Sequence, residues 1–249
     1  DEVVEIELVN YFIKGNIALT KVDEDYPDNK LSGAVFEVYS DTNGDGKLDK
    51  DDTLLGEMKE LDGGVYQMSE LRYGKYLVKE TKAPTGFVLD ENVYSVSVEE
   101  NGKTYTVENK AGVGFINAAQ KGSLKIVKTS SDGKVEGFSF RVTGVDYDQT
   151  FKTDKNGEIV IEGLRIGDYT VSEVSDKASA GYILPADKQA TVKVDATAIV
   201  QMHNEFRDTP KTGDDFNLGL WVSLAALSVV GAGVLGFVSY KNRKKKKED

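Results

Sequence analysis

The chain has 249 residues and a formal net charge of −11, with 39% hydrophobic and 29% charged residues, one histidine and no cysteine. The absence of Cys excludes disulfide frameworks and cysteine nucleophiles, a single His excludes a polyhistidine metal centre, and the acidic balance argues against nucleic acid as a partner, since counterion displacement needs a positive surface. The apolar fraction is too high for a disordered chain, and the length allows one large domain or two of ordinary size.

Val4, Ile6, Leu8 and Asn10 alternate with Glu5 and Glu7, the pattern of a strand with one buried face. Asn10 precedes Lys21 by the same interval that separates Asn117 from Lys128. Residues 1–14 are therefore expected to be the last strand of a truncated preceding domain, and the lack of a signal peptide before Asp1 fits that reading. The alternative is an extra edge strand of the first complete domain.

From residue 15 the chain repeats. Gly15-Asn16-Ile17-Ala18-Leu19-Thr20-Lys21 matches Gly122-Ser123-Leu124-Lys125-Ile126-Val127-Lys128; Tyr76 to Glu80 matches Tyr169 to Glu173; Gly86-Phe87-Val88-Leu89 matches Gly181-Tyr182-Ile183-Leu184; and Phe115-Ile116-Asn117 matches Met202-His203-Asn204. Each copy reads as short strands between Gly, Asn and Asp turns, without helical periodicity. Two all-β sandwiches, over 15–119 and 120–207, are the economical reading.

Within the first copy, Asp41, Asn43, Asp45, Lys47 (through its carbonyl), Asp49 and Asp52 fit the spacing of a calcium loop, with Gly46 at the sharp turn. The alternative is a solvated hairpin loop turned by its Asn-Gly and Asp-Gly pairs. No other cofactor is called for.

Side-chain parity exposes a second pattern. In the first strand of each copy the apolar face carries Ile17, Leu19 and then Lys21, or Leu124, Ile126 and then Lys128. The same face of the Tyr-containing strand carries Tyr76, Val78, Glu80, or Tyr169, Val171, Glu173; the last strand carries Val113, Phe115, Asn117, or Val200, Met202, Asn204. Each copy thus aims a Lys, a Glu and an Asn into its core, where an unpaired charge costs several kcal/mol, so the trio must meet. His203 has outward parity and reads as a surface residue.

Linker residues 208–217 lead to Leu218–Tyr240, a run free of Asp, Glu, Lys and Arg. As a helix it would be about 35 Å long, enough for a hydrocarbon core of roughly 30 Å. Trp221 and Tyr240 sit near its ends, and the tail 241–249 carries six basic residues against two acidic ones. The positive-inside rule puts this tail in the cytoplasm and the acidic body outside. A buried core helix would need more protein around it.

Two resemblances follow from these residues. Thr209-Pro210-Lys211-Thr212-Gly213, followed by the apolar span and basic tail, resembles the LPXTG sorting signal of Gram-positive surface proteins, with Thr209 where Leu is usual. That resemblance implies a sortase as partner, cleavage between Thr212 and Gly213, transfer of the Thr212 carbonyl to peptidoglycan, and only a transient stay in the membrane through 218–240. Tyr76 to Phe87 resembles the E-box YxLxETxAPxGY of the B-type domains of collagen adhesins and Gram-positive pilins (Cna-B, SpaA-like), with Val78 at the Leu position and Phe87 for the final Tyr. The second copy keeps Glu173 but loses the Thr-x-Ala-Pro stretch. The implied fold is all-β: tandem transthyretin-like, Ig-like sandwiches followed by a single C-terminal transmembrane helix.

The resemblance further implies isopeptide bonds Lys21–Asn117 and Lys128–Asn204, with Glu80 and Glu173 as catalysts, each formed once within its own domain, so the chain is not an enzyme. A buried Lys–Glu ion pair hydrogen-bonded to Asn is the non-covalent alternative. The implied function is the stalk of a secreted, peptidoglycan-anchored adhesin-type surface protein. A pilin subunit is the closest rival, although Tyr26-Pro27-Asp28 is not a Tyr-Pro-Lys acceptor. An adhesive ligand-binding module is a further alternative, its host ligand unknown.

Overall fold

The computed structural model describes residues 9–207, and every regular element among them is a β-strand. Residues 1–8, the sorting peptide, the span 218–240 and the tail lie outside the described residues. Among the described residues no helix is long and apolar enough to cross a membrane.

The first sandwich comprises β1 (Lys14–Asp23), β2 (Val35–Ser40), β3 (Thr53–Glu57), β4 (Lys59–Asp62), β5 (Val65–Arg72), β6 (Gly74–Lys82), β7 (Val93–Val98), β8 (Thr104–Thr106) and β9 (Phe115–Asn117). One sheet has the order β4-β5-β1-β8, with β9 also pairing β1; the other runs β3-β2-β6-β7. The second sandwich comprises β10 (Lys121–Ser130), β11 (Ser139–Gly144), β12 (Tyr147–Lys152), β13 (Glu158–Arg165), β14 (Gly167–Val174), β15 (Tyr182–Ile183), β16 (Lys188–Val192) and β17 (Thr197–Phe206). Its sheets run β13-β10-β17-β15 and β12-β11-β14-β16. In both copies the first strand is central and is flanked by a parallel last strand.

Period-two alternation of apolar side chains builds the cores. Ile17, Leu19, Phe36, Val38, Tyr66, Val78 and Phe115 fill the first; Leu124, Ile126, Phe140, Val142, Val171, Val200 and Met202 fill the second. Edge-to-face ring pairs tie the two sheets of the first sandwich, Phe36 lying 5.1 Å from Tyr66 and 5.0 Å from Phe115.

The copies share local devices. The first strand bulges after Gly15 and again after Gly122, where the backbone passes close to the loop preceding the last strand. A Cβ at Gly15 would lie 2.8 Å from the Lys103 carbonyl oxygen, and one at Gly122 would lie 2.1 Å from that of Lys193. The Tyr76 hydroxyl donates to the Arg72 carbonyl at 2.6 Å, and Tyr169 repeats this onto Arg165 at 2.9 Å.

One expectation is corrected. Val113 does not continue the last strand of the first copy; it lies in a turn before β9, and Val107 is the residue buried in the core there. In the second copy β17 runs unbroken beside β10. In the first, the chain loops out between β8 and β9 and rejoins β1 in the equivalent register.

Candidate functional site

The first cluster lies where β1, β6 and β9 converge. Parallel pairing sets Lys21 beside Phe115 and Asp23 beside Asn117, and antiparallel pairing brings Glu80 beside Phe36. Lys21 and Glu80 are fully buried and Asn117 is 2% exposed. Lys21 Nζ lies 3.7 Å from Glu80 Oε1 and donates to the Phe115 carbonyl at 3.1 Å. Asn117 Nδ2 donates to both carboxyl oxygens of Glu80, at 2.9 and 3.0 Å, and the Asp90 backbone N–H donates to Oε2 at 2.8 Å.

This environment favours neutral forms. Burial brings the Lys21 amine down to about 8, against the opposing pull of Glu80 and Asp90. Burial also pushes the Glu80 carboxyl up, against the Asp90 amide, Asn117 and Lys21. A neutral amine beside a protonated carboxyl and a primary amide is the set of groups needed for amide exchange.

The second cluster repeats the layout. Lys128 pairs in register with Met202 and Ser130 with Asn204, while Glu173 sits opposite Phe140. Lys128, Glu173 and Asn204 are 1%, 9% and 0% exposed. Asn204 Nδ2 donates to Glu173 Oε1 at 2.6 Å. The Lys128 amine turns instead to the Thr129 carbonyl and lies 4.3 Å from the centre of the Phe138 ring. Burial again lowers the lysine and raises the glutamate. Asn117 Oδ1 in the first cluster, and Asn204 Oδ1 and Glu173 Oε2 in the second, are buried without a hydrogen-bond partner among the described residues, where buried polar atoms are ordinarily satisfied.

Sequence parity alone does not find Asp90, because its part is played by a backbone N–H. Its carboxylate is in turn fixed by the Tyr94 hydroxyl at 2.7 Å and Asn109 Nδ2 at 2.8 Å. Asn109 belongs to the loop between β8 and β9, so that loop buttresses the first cluster. His203 sits away from the second cluster, its ring bonded to Thr129 and Glu205.

In the acidic loop the side-chain oxygens accept hydrogen bonds from the loop's own backbone amides. Asp41 accepts the Gly44 and Gly46 amides, Asn43 that of Asp45, Asp45 that of Lys47, Asp49 that of Asp51, and Asp52 those of Thr42 and Asp49. These side-chain oxygens close turns, and among the described residues no group of three or more His, Cys, Asp or Glu side chains is placed to hold a metal ion. Asn10 is exposed and outside any strand. Thr209, Pro210, Lys211, Thr212 and Gly213 lie outside the described residues.

The SpaA prealbumin-like fold domain matches residues 15–111 and again 122–206. The structure of the Bacillus anthracis TIE protein superposes with a TM-score of 0.58 at 25% identity, over 78% of this chain and 34% of that one; the chain thus spans about a third of that protein's length. The minor pilin of the Gram-positive pathogen Streptococcus agalactiae matches with a TM-score of 0.35 at 18% identity, over 81% of this chain and 100% of that one. The shaft pilin SpaA from Lactobacillus rhamnosus GG matches with a TM-score of 0.34 at 14% identity, over 79% and 99%. No curated protein sequence matches the chain. Two matches to one family, covering both sandwiches, make the chain a tandem member of the SpaA prealbumin-like fold domain family.

Proposed function

We propose that the chain is a stalk segment of a cell-surface protein of the pilin and adhesin type, stiffened by autocatalytic Lys21–Asn117 and Lys128–Asn204 isopeptide bonds and joined to peptidoglycan by a sortase through Thr212. The observation that carries this reading is the twofold burial of a Lys on the first strand and an Asn on the last, at equivalent register, beside a Glu of the facing sheet.

In the proposed reaction the neutral Lys21 Nζ attacks Asn117 Cγ. Rotating the Asn117 amide half a turn places Oδ1 against Glu80, which satisfies the orphaned acceptor once that carboxyl is protonated and polarises the carbonyl. The new C–N bond forms as the C–Nδ2 bond breaks; the amine proton passes through Glu80 to the departing nitrogen, and ammonia leaves. Folding holds the reactants together, which supplies much of the rate. Each domain reacts once on itself. By analogy with disulfides, linking residues about 96 and about 76 positions apart destabilises the unfolded chain by roughly 4–5 kcal/mol per bond.

The anchoring arm is tested in cells. Muramidase digestion of the wall should release a chain ending at Thr212 bonded to a wall amine, and Thr212→Ala should leave it in the membrane fraction. Recovery of both forms in the membrane fraction would overturn anchoring while leaving the isopeptide reading intact. A pilin subunit is the second reading, favoured by the pilins among the similar structures; a ladder of high-mass species on a cell-wall blot would select it.

A further inference from the structure

The two sandwiches meet through a built junction. Arg165, at the end of β13, donates to both carboxyl oxygens of Asp23 at 2.6 and 2.8 Å and to Asp25 at 3.0 Å. Lys121 reaches Asp25 at 3.1 Å, and the guanidinium lies 4.9 Å from the Tyr26 ring centre and 5.8 Å from that of Phe87. Asp23 is 2% exposed, so this is a desolvated bidentate pair. The connecting residues are ordered with it: Phe87 bridges Ala119, and the Ile166 amide donates to the Gln120 carbonyl.

The far end of the first sandwich carries the other half of the same junction. Arg72 stands where Arg165 does, since Lys14 pairs with Arg72 in β1–β5 as Lys121 pairs with Arg165 in β10–β13. The Tyr73 amide donates to the Ile13 carbonyl at 2.9 Å, as Ile166 does to Gln120 at 3.1 Å. Arg72 meets no carboxylate among the described residues; the Phe12 ring stacks on it at 4.1 Å. Here Tyr11, Phe12 and Tyr73 are 88%, 66% and 65% exposed, whereas the equivalents of Phe12 and Tyr73 at the internal junction, Ala119 and Ile166, are buried and half-buried.

We infer that this surface docks a further sandwich of the same family, one whose first strand reads Lys-x-Asp-x-Asp as Lys21, Asp23 and Asp25 do. Arg72 takes its carboxylates as Arg165 does those of Asp23 and Asp25, Lys14 being already paired with Glu70 at 2.8 Å, and Phe12 and Tyr73 pack beneath its base. Charge and register select this occupant over a second copy of the chain. At the base of the second sandwich the equivalent positions are Ser130 and Asp132, and Asp132 is already taken by the Tyr182 hydroxyl, Ser130 and Lys134. The inference does not depend on whether either isopeptide bond forms.

The test is the chain with residues 14–117 duplicated ahead of Tyr11, in place of residues 1–10. The added and original first sandwiches should share one alignment frame in residual dipolar couplings, as the first and second should. Arg72→Glu, or Asp23→Asn with Asp25→Asn in the added copy alone, should split that frame while the fold of each sandwich is retained. Independent tumbling in the parent extended chain, or no change in either variant, overturns the inference. So does a dimer of the unextended chain that Arg72→Glu converts to monomer, because the occupant is then a second copy.

Discussion

At the residue scale the decisive fact is that three polar side chains per copy face inward. Strict alternation made this legible in the sequence: Lys21, Glu80 and Asn117 continue apolar faces, and a strand gives them no other direction. Their mutual distances were not legible, nor was Asp90, whose backbone amide holds Glu80. The lowered Lys21 pKa has a direct consequence for a chain that cannot link. In Asn117→Ala the unfolded state keeps the Lys21 proton up to 10.5 and the folded state only up to about 8. Between those values the unfolded state binds more protons, so folded stability rises with pH. Thermal melts across this window should show the rise, and adding Lys21→Met should flatten it; an equal slope in both variants would place the amine in water.

At the element scale, the repeat in sequence is a repeat in devices. Gly15 and Gly122 open the same bulge, and Tyr76 and Tyr169 brace the same turn. Gly122→Ala should destabilise by about 1–3 kcal/mol in urea unfolding, the usual cost of overpacking. Gly15→Ala should cost less, because its Cβ meets the opposing carbonyl at 2.8 rather than 2.1 Å. Tyr169→Phe, which leaves the Arg165 carbonyl without its partner, should cost about 1 kcal/mol. The sequence correctly placed the strands that carry apolar alternation. It misplaced Val113 because the loop between β8 and β9 interrupts a strand that is continuous in the second copy, and a loop that returns to register leaves no mark in parity. The acidic loop shows how one spacing serves two ends: the Asp and Asn positions that suit a cation also cap a run of turns, and those turns are present.

At the scale of the whole molecule, the proposed bonds and the Asp23–Arg165 junction lie on one line of covalent and ionic ties, running from β1 through residues 117–128 to β17. Two consequences are measurable. Arg165→Glu should uncouple the two sandwiches, seen as a broader distribution of lengths in small-angle scattering, with little change in either core. Trypsin should nick the exposed loop at Lys47 or Lys50, yet the fragments should stay together on a denaturing gel, because Lys21 and Asn117 lie on opposite sides of the cut. In Glu80→Ala the same nick should release them. The absence of cysteine then has a structural counterpart, since cross-links of this kind do not depend on redox conditions.

The most direct measurement is the intact mass of the purified, denatured chain. It should fall below the mass of its amino-acid sequence by two molecules of ammonia, one for each sandwich, with Glu80→Ala and Glu173→Ala each restoring one. A chain at its full sequence mass, unchanged by either substitution, would contradict the bonds and leave two buried non-covalent clusters in their place.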